Sequence, residues 1–150
     1  MRLISVVTGC YNEEENVEEV YLQVKKVFAE LEDYNYEHIF IDNCSQDKTV
    51  EKLKEIAEAD KNIKIIVNTR NFGHIRSPYY GLLQSTGEAT ISLVADLQDP
   101  PQIISDFIKQ WEKGFKIVVG VKTRSSENFV IKSIRRIFYR FIKKMSEEGL

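Results

Sequence analysis

Short apolar runs rich in β-branched residues recur along this chain, and each breaks off into polar side chains. Residues 3–7 lead into Tyr11-Asn12-Glu13, and residues 37–41 into Asp42-Asn43. Residues 63–67 lead into a long polar turn, 68–76, that holds Arg70 and Asn71. Residues 89–95 stop at Asp96-Leu97-Gln98-Asp99-Pro100-Pro101, and residues 115–121 stop at Lys122 and Arg124. Runs of this length and composition read as strands. The segments between them carry helical spacing: 13–31 (Val17, Val20 or Tyr21, Val24, Val27 or Phe28, Leu31), 49–59, 77–84 and 101–113. Glu13, Glu14 and Glu15 suit the first turn of a helix. Asp47 or Ser45 is a candidate cap for the second helix, and Ser77-Pro78 reads as a cap followed by proline at the first helical position.

Strands alternating with helices predict an α/β fold: a mostly parallel sheet, flanked by helices, with right-handed crossovers. Ligands of such sheets sit beyond the carboxyl ends of the strands. Any one polar cluster is also what a solvated strand end looks like. Five clusters, each following a strand, point to one shared site.

The chain has 150 residues, enough for one domain with a real core, and its 43% hydrophobic and 29% charged residues fit a globular protein. Cys10 and Cys44 lack metal-ligand spacing and read as reduced thiols in a cytoplasmic setting. No apolar run approaches the roughly 18 residues of a membrane-spanning helix, and the N-terminus has no signal-peptide pattern. The net charge of -2 hides an asymmetry. Residues 129–145 carry six Lys/Arg and no acid, followed by Glu147 and Glu148, so the preceding 128 residues hold -6. An acidic body argues against nucleic acid as a partner, because such binding rests on phosphate neutralisation. In the basic segment, Val130, Ile134, Ile137 or Phe138, Phe141 and Met145 form an apolar stripe among the cations. That pattern predicts an amphipathic helix at an anionic membrane surface, or else one docked on protein.

Asp96, Gln98 and Asp99 are hard oxygen donors that suit Mg²⁺ or Mn²⁺ shared with a substrate diphosphate. Asp99 could equally cap the helix that follows Pro100-Pro101. No G-x-G-x-x-G follows the first strand and no phosphate-loop motif occurs, which argues against a dinucleotide-binding dehydrogenase or a P-loop NTPase. Asn68 follows the third strand where a phosphorelay receiver needs an aspartate. His74 reads as a surface residue of a polar loop and His38 as structural.

The motifs VVTGCYNEEENV (6–17), IDNCSQDKT (41–49), RNFG (70–73) and ADLQDPP (95–101), with GVKTR (120–124), together resemble the family 2 glycosyltransferases of the GT-A fold. The likeness is to the branch of dolichol-phosphate mannosyltransferase and polyprenyl-phosphate glycosyltransferases. It implies a Rossmann-like GT-A domain over 1–128 that binds a UDP- or GDP-sugar. By the same resemblance, Tyr11, Glu13 and Asp42 line the nucleotide pocket, and Lys122 stands near the donor phosphates. Arg70 and Asn71 belong to the loop beside the donor sugar, and Asp96 and Gln98 hold Mg²⁺ or Mn²⁺. The implied reaction moves a sugar, with inversion, to a polyprenyl phosphate or a glycan at the cytoplasmic face of a membrane. Family members continue well beyond this length, so residues 129–150 are expected to begin an acceptor region. Asp99 is the candidate catalytic carboxylate within the chain. The sequence departs from the family pattern at Val94, Asn43, Cys44 and Gly9, where Asp, Asp, Gly and Pro are usual. A non-catalytic nucleotide-sugar-binding module is the alternative, and homo-oligomerisation is left open.

Overall fold

The computed structural model describes residues 1–121 and Phe138. The chain divides into two compact units, Met1–Val118 and Val119–Leu150, and the first contains the sheet. Its elements are β1 (Arg2–Cys10), α1 (Val17–Ala29), β2 (Tyr34–Asp42), α2 (Thr49–Ala59), β3 (Ile63–Val67), α3 (Gly73–Leu83), β4 (Ala89–Val94) and α4 (Ile103–Glu112). The four strands are all parallel, in the order β3-β2-β1-β4. The α/β architecture is the one expected.

The two faces of the sheet are covered unequally. On one face Ile4, Val6 and Cys10 of β1 and Phe40 of β2 meet a continuous stripe from α1 (Val17, Val20, Val24, Val27, Phe28). Leu53 of α2 and Ile104 and Ile108 of α4 complete this core. Val17, Val20 and Val24 recur at the spacing that places them on one side of a helix, and all three are fully buried. Val7, Ile39 and Ile41 form a smaller cluster on the other face, with Ile66 and Leu82 packed against it. There α3 lies close to the sheet: a Cβ on Gly81 would sit 2.8 Å from Val7 and 3.1 Å from Ile41. A side chain there would push the helix outwards.

Two polar groups are sealed within β2. Glu37 lies beside Ser5 of β1 and accepts hydrogen bonds from Ser5 Oγ (2.5 Å) and from the N–H (2.6 Å) and Oγ1 (2.9 Å) of Thr86. Lys64 Nζ pairs with its other oxygen at 2.5 Å. Burial alone would raise its pKa, but the hydrogen bonds from Lys64, Ser5 and Thr86 outweigh it and hold the carboxyl down to about 2. His38 is fully buried, with its ring on Phe40 (3.9 Å between centroids) and Nε2 2.9 Å from Thr8 Oγ1. Nδ1 has no partner, and burial lowers the imidazole to about 3. His38 is therefore structural, as expected, and lies within β2.

Three expected elements need correction. Residues 115–121 form no strand. The alternation of Phe115, Ile117, Val119 and Val121 is real, but all four are more than half exposed, and among the described residues no strand supplies the pairing that defines a strand. Helix α3 begins at Gly73, not at Ser77, and Pro78 lies inside it. Asn71 Oδ1 accepts the Gly73 N–H (2.8 Å) and so opens the helix earlier than the Ser-Pro signal. Helix α1 likewise starts at Val17, with Glu13 and Asn16 in a preceding turn closed by Asn16 N–H to Glu13 O (2.9 Å). Among the described residues, no helix is long and apolar enough to cross a membrane.

Candidate functional site

Because the strands are parallel, the loops after β3, β2, β1 and β4 emerge in that order along one edge of the sheet. Hydrogen bonds join the first three. The loop after β1 is laced to the loop after β2. Asn12 N–H donates to Ser45 Oγ (2.9 Å), and Gln46 N–H donates to Asn12 Oδ1 (2.8 Å). Glu13 N–H donates to Thr49 Oγ1 (2.8 Å), Glu14 N–H to Asp47 Oδ2 (3.1 Å), and Lys48 N–H back to Glu14 Oε2 (2.8 Å). Asp47 Oδ1 also accepts the Thr49 N–H at the start of α2 (3.0 Å), but the N-cap position is Lys48, so neither Asp47 nor Ser45 is the cap that was expected. Between these loops lies a polar cavity of about 190 Å³ lined by Asn12, Glu13, Glu14, Glu15, Asn16 and Asp47.

Asp42, at the end of β2, has no exposed surface. Its Oδ2 accepts the N–H groups of Cys44 and Ser45, both at 3.0 Å, and its Oδ1 accepts Ser45 Oγ–H. The carboxylate thus folds the turn 42–45 in front of it. Asn43 crosses to the next loop. Its amide donates to Asn71 Oδ1 (2.9 Å) and Gly73 O (3.3 Å), and its Oδ1 accepts Phe72 N–H (2.8 Å) and Asn68 Nδ2 (3.3 Å). In this loop Arg70 is exposed, its guanidinium 4.8 Å from the centre of the Phe72 ring. His74 lies on the first turn of α3 rather than in a loop.

The turn after β4 is a neighbour through pairing of β4 with β1, in which Val94 stands opposite Gly9. Asp96 and Gln98 are exposed, and Asp99 is half-buried. Asp96 Oδ1 accepts the Gln98 N–H (3.1 Å), an Asx turn that fixes one oxygen. Leu97 between them has φ +56°. The Asn12 (φ +56°) and Cys44 (φ +68°) backbones are left-handed too, so every described non-glycine residue of this kind follows a strand at this edge. Each costs on the order of 1 kcal/mol, and such strain gathers at functional sites.

Tyr11, Glu13, Asp42, Arg70, Asn71, Asp96, Gln98 and Asp99 therefore all lie on the predicted edge. Tyr11 is 46% exposed and directly follows β1. Lys122 and, apart from Phe138, the segment 129–145 lie outside the described residues. The sequence shows Ser45 and Ser77 only as candidate caps, Asn68 only as the residue after the third strand, and Asn43 only as part of a polar cluster and a departure from the family pattern; that these residues and Thr49 knit the loops together is not legible in it.

The sequence profile of glycosyl transferase family 2 matches residues 5–149. The chain belongs to this family. The family 2 domain is 37% identical over 95% of its length to an uncharacterized glycosyltransferase, YkcC, of Bacillus subtilis. It is 33% identical over 95% of its length to a bactoprenol glucosyl transferase of Shigella phage SfX. It covers 44% and 47% of those proteins, so it spans about half the length of the curated relatives it matches. In structure it resembles a mannosyltransferase from Pyrobaculum calidifontis solved with GDP-Man and Mn²⁺. That likeness has a TM-score of 0.60 at 22% identity and covers 72% of this chain and 31% of the other, which supports the GT-A fold.

Proposed function

We propose that this family 2 domain binds the nucleotide-sugar donor of a glycosyltransferase that transfers a sugar, with inversion, to a polyprenyl phosphate. The supporting observation is the set of four polar loops aligned on one sheet edge, three of them hydrogen-bonded into a single rim. The bactoprenol glucosyl transferase likeness supports the lipid acceptor, and the GDP-Man and Mn²⁺ complex supports a nucleotide-sugar donor with a divalent ion. In this reading Tyr11 and Glu13 flank the nucleotide, and Asp42 shapes the turn on which it rests. Arg70 and Asn71 reach the sugar and diphosphate side, and Lys122 serves the phosphates.

The donor set at Asp96 fits Mg²⁺ or Mn²⁺ held jointly with a substrate diphosphate. One Asp96 oxygen is committed to Gln98 N–H, which leaves the second and the Gln98 amide oxygen for a metal. Among the described residues no group of three or more His, Cys, Asp or Glu could hold a metal alone, so the diphosphate completes the set. When bound, the ion would neutralise charge on the departing nucleoside diphosphate. Asp99 is the candidate to accept the acceptor's proton.

Val94, 49% exposed where the family carries an acid, favours a second reading, a nucleotide-sugar-binding module without turnover. Calorimetry with UDP-glucose and GDP-mannose, in Mn²⁺ and in EDTA, tests the first step. Affinity should fall in EDTA and in Asp96→Asn. Equal affinity under all conditions removes the metal role, and no binding by the wild type removes the donor reading. Release of nucleoside diphosphate in the presence of a polyprenyl phosphate separates enzyme from module.

A further inference from the structure

Asn43 is 6% exposed and makes four side-chain hydrogen bonds, two donated and two accepted, all to residues 68–73. Its own N–H is fixed to Cys10 O (2.9 Å), so the side chain springs from a rigid point on the sheet. Asn68 extends the network by donating to Ser77 Oγ (2.8 Å) on α3. We propose that Asn43 is the positioning residue of the 68–73 loop, holding Arg70 and Asn71 against the turn 42–45; this rests on the donor-binding reading for its consequence, though not for its geometry.

The chemistry demands a neutral amide. An ionised aspartate only accepts, yet two of the atoms that Asn43 faces, Asn71 Oδ1 and Gly73 O, are acceptors themselves. Asn71 cannot compensate by turning its amide over, because its Oδ1 already accepts the Gly73 N–H that opens α3. The departure from the family's usual acid is therefore matched by the loop that it meets. The charged and titratable residues that belong to or directly adjoin this network are Cys10, Tyr11, Asp42, Cys44, Arg70, His74 and Arg76. The Asp42 carboxylate is turned away, onto Cys44 and Ser45.

Amide hydrogen exchange on the whole chain tests the proposal. Asn43→Ala should speed exchange at Phe72, which loses its acceptor, by on the order of tenfold. Asn43→Asp should instead expose Gly73, as Asn71 is repelled, and the protection factor should recover as the pH falls and the introduced carboxyl protonates and can donate again. Cys44 and Ser45, held by Asp42, should keep their protection in both. Asn71→Ala, at an exposed position, should free Gly73 without disturbing the core. Unchanged protection at Phe72 and Gly73 in all variants overturns the proposal, as does an Asn43→Asp response that ignores pH. Titration of UDP-glucose and GDP-mannose with Mn²⁺ provides the second arm. Each Asn43 variant should bind about tenfold more weakly whichever donor the wild type binds. If the wild type binds neither while exchange follows the pattern above, the loop lock stands and the donor reading fails.

Discussion

Acid should weaken this fold well before most of its surface carboxylates titrate, because His38 is kept neutral by burial. Its imidazole falls from the ordinary 6.5 to about 3 in the fold. The unfolded chain takes up a proton as the pH drops through the ordinary value, and the folded chain does not. The stability in question is therefore present above that value and is lost as the pH falls towards about 3. The loss is about 1.4 kcal/mol per pH unit, or on the order of 3 kcal/mol between about pH 6.5 and about pH 4. Glu37 has the same sign in a lower window. Its contribution is whole above the ordinary 4.5 and disappears as the pH falls to about 2. Against a typical total of roughly 5–15 kcal/mol, the His38 effect alone is large. Urea unfolding followed by circular dichroism at about pH 7, 5.5 and 4 would measure it. The control is the double substitution Thr8→Val/His38→Phe, which removes both partners of the buried hydrogen bond so that neither is stranded. The double variant should lose its pH dependence above about pH 5. If both proteins weaken equally between pH 6.5 and 4, buried His38 is not the acid-labile element.

Three further outcomes follow from the same structure. Cys44→Gly should raise stability by about 0.5–1 kcal/mol in thermal melts, since φ +68° strains a residue with a Cβ and suits glycine. Asp42→Ala strands the N–H groups of Cys44 and Ser45 and should cost on the order of 1–3 kcal/mol of nucleotide affinity, with UDP and UDP-glucose affected alike. Liposome co-sedimentation of the whole chain should rise with anionic lipid and fall with salt, and it should vanish in a chain ending at Glu127, because each basic residue of 129–145 adds about 1 kcal/mol at such a surface.

The α/β plan was legible because strand runs and helix stripes have different periods, and α2 and β3 were placed to the residue. What could not be read was whatever depended on a partner. Residues 115–121 alternate like a strand, yet alternation only makes a strand when a neighbour pairs with it. Ser77-Pro78 is a sound local start signal, but Asn71, held in place by Asn43 from another strand, wins the helix start. The site edge was visible as polar clusters after strands. Its internal wiring was not, because Ser45 and Asn68 look like ordinary loop residues, and Thr49 like an ordinary helix start, until the parallel order sets their loops side by side. Left-handed Leu97 left no signal at all, whereas asparagine at position 12 is among the residues that tolerate that conformation.

The acidity of the edge bears on how a donor would arrive. Glu13, Glu14, Glu15, Asp47, Asp96 and Asp99 lie on its described loops, against Arg70 and Lys48, and Lys52 at the start of α2 is already bound through Nζ to Glu14 O at 2.8 Å. A diphosphate approaching such a rim meets net repulsion unless a cation comes with it. Asp96 alone is a weak ligand, so the ion and the donor should bind as a pair, each raising the affinity of the other by the same factor. Manganese titrated into the protein alone should then give little heat, and the same titration with UDP-glucose or GDP-mannose present should give a saturable signal that Asp96→Asn removes. Tight manganese binding without nucleotide would mean that the protein supplies further ligands, and the shared-diphosphate account of Asp96 would have to be abandoned.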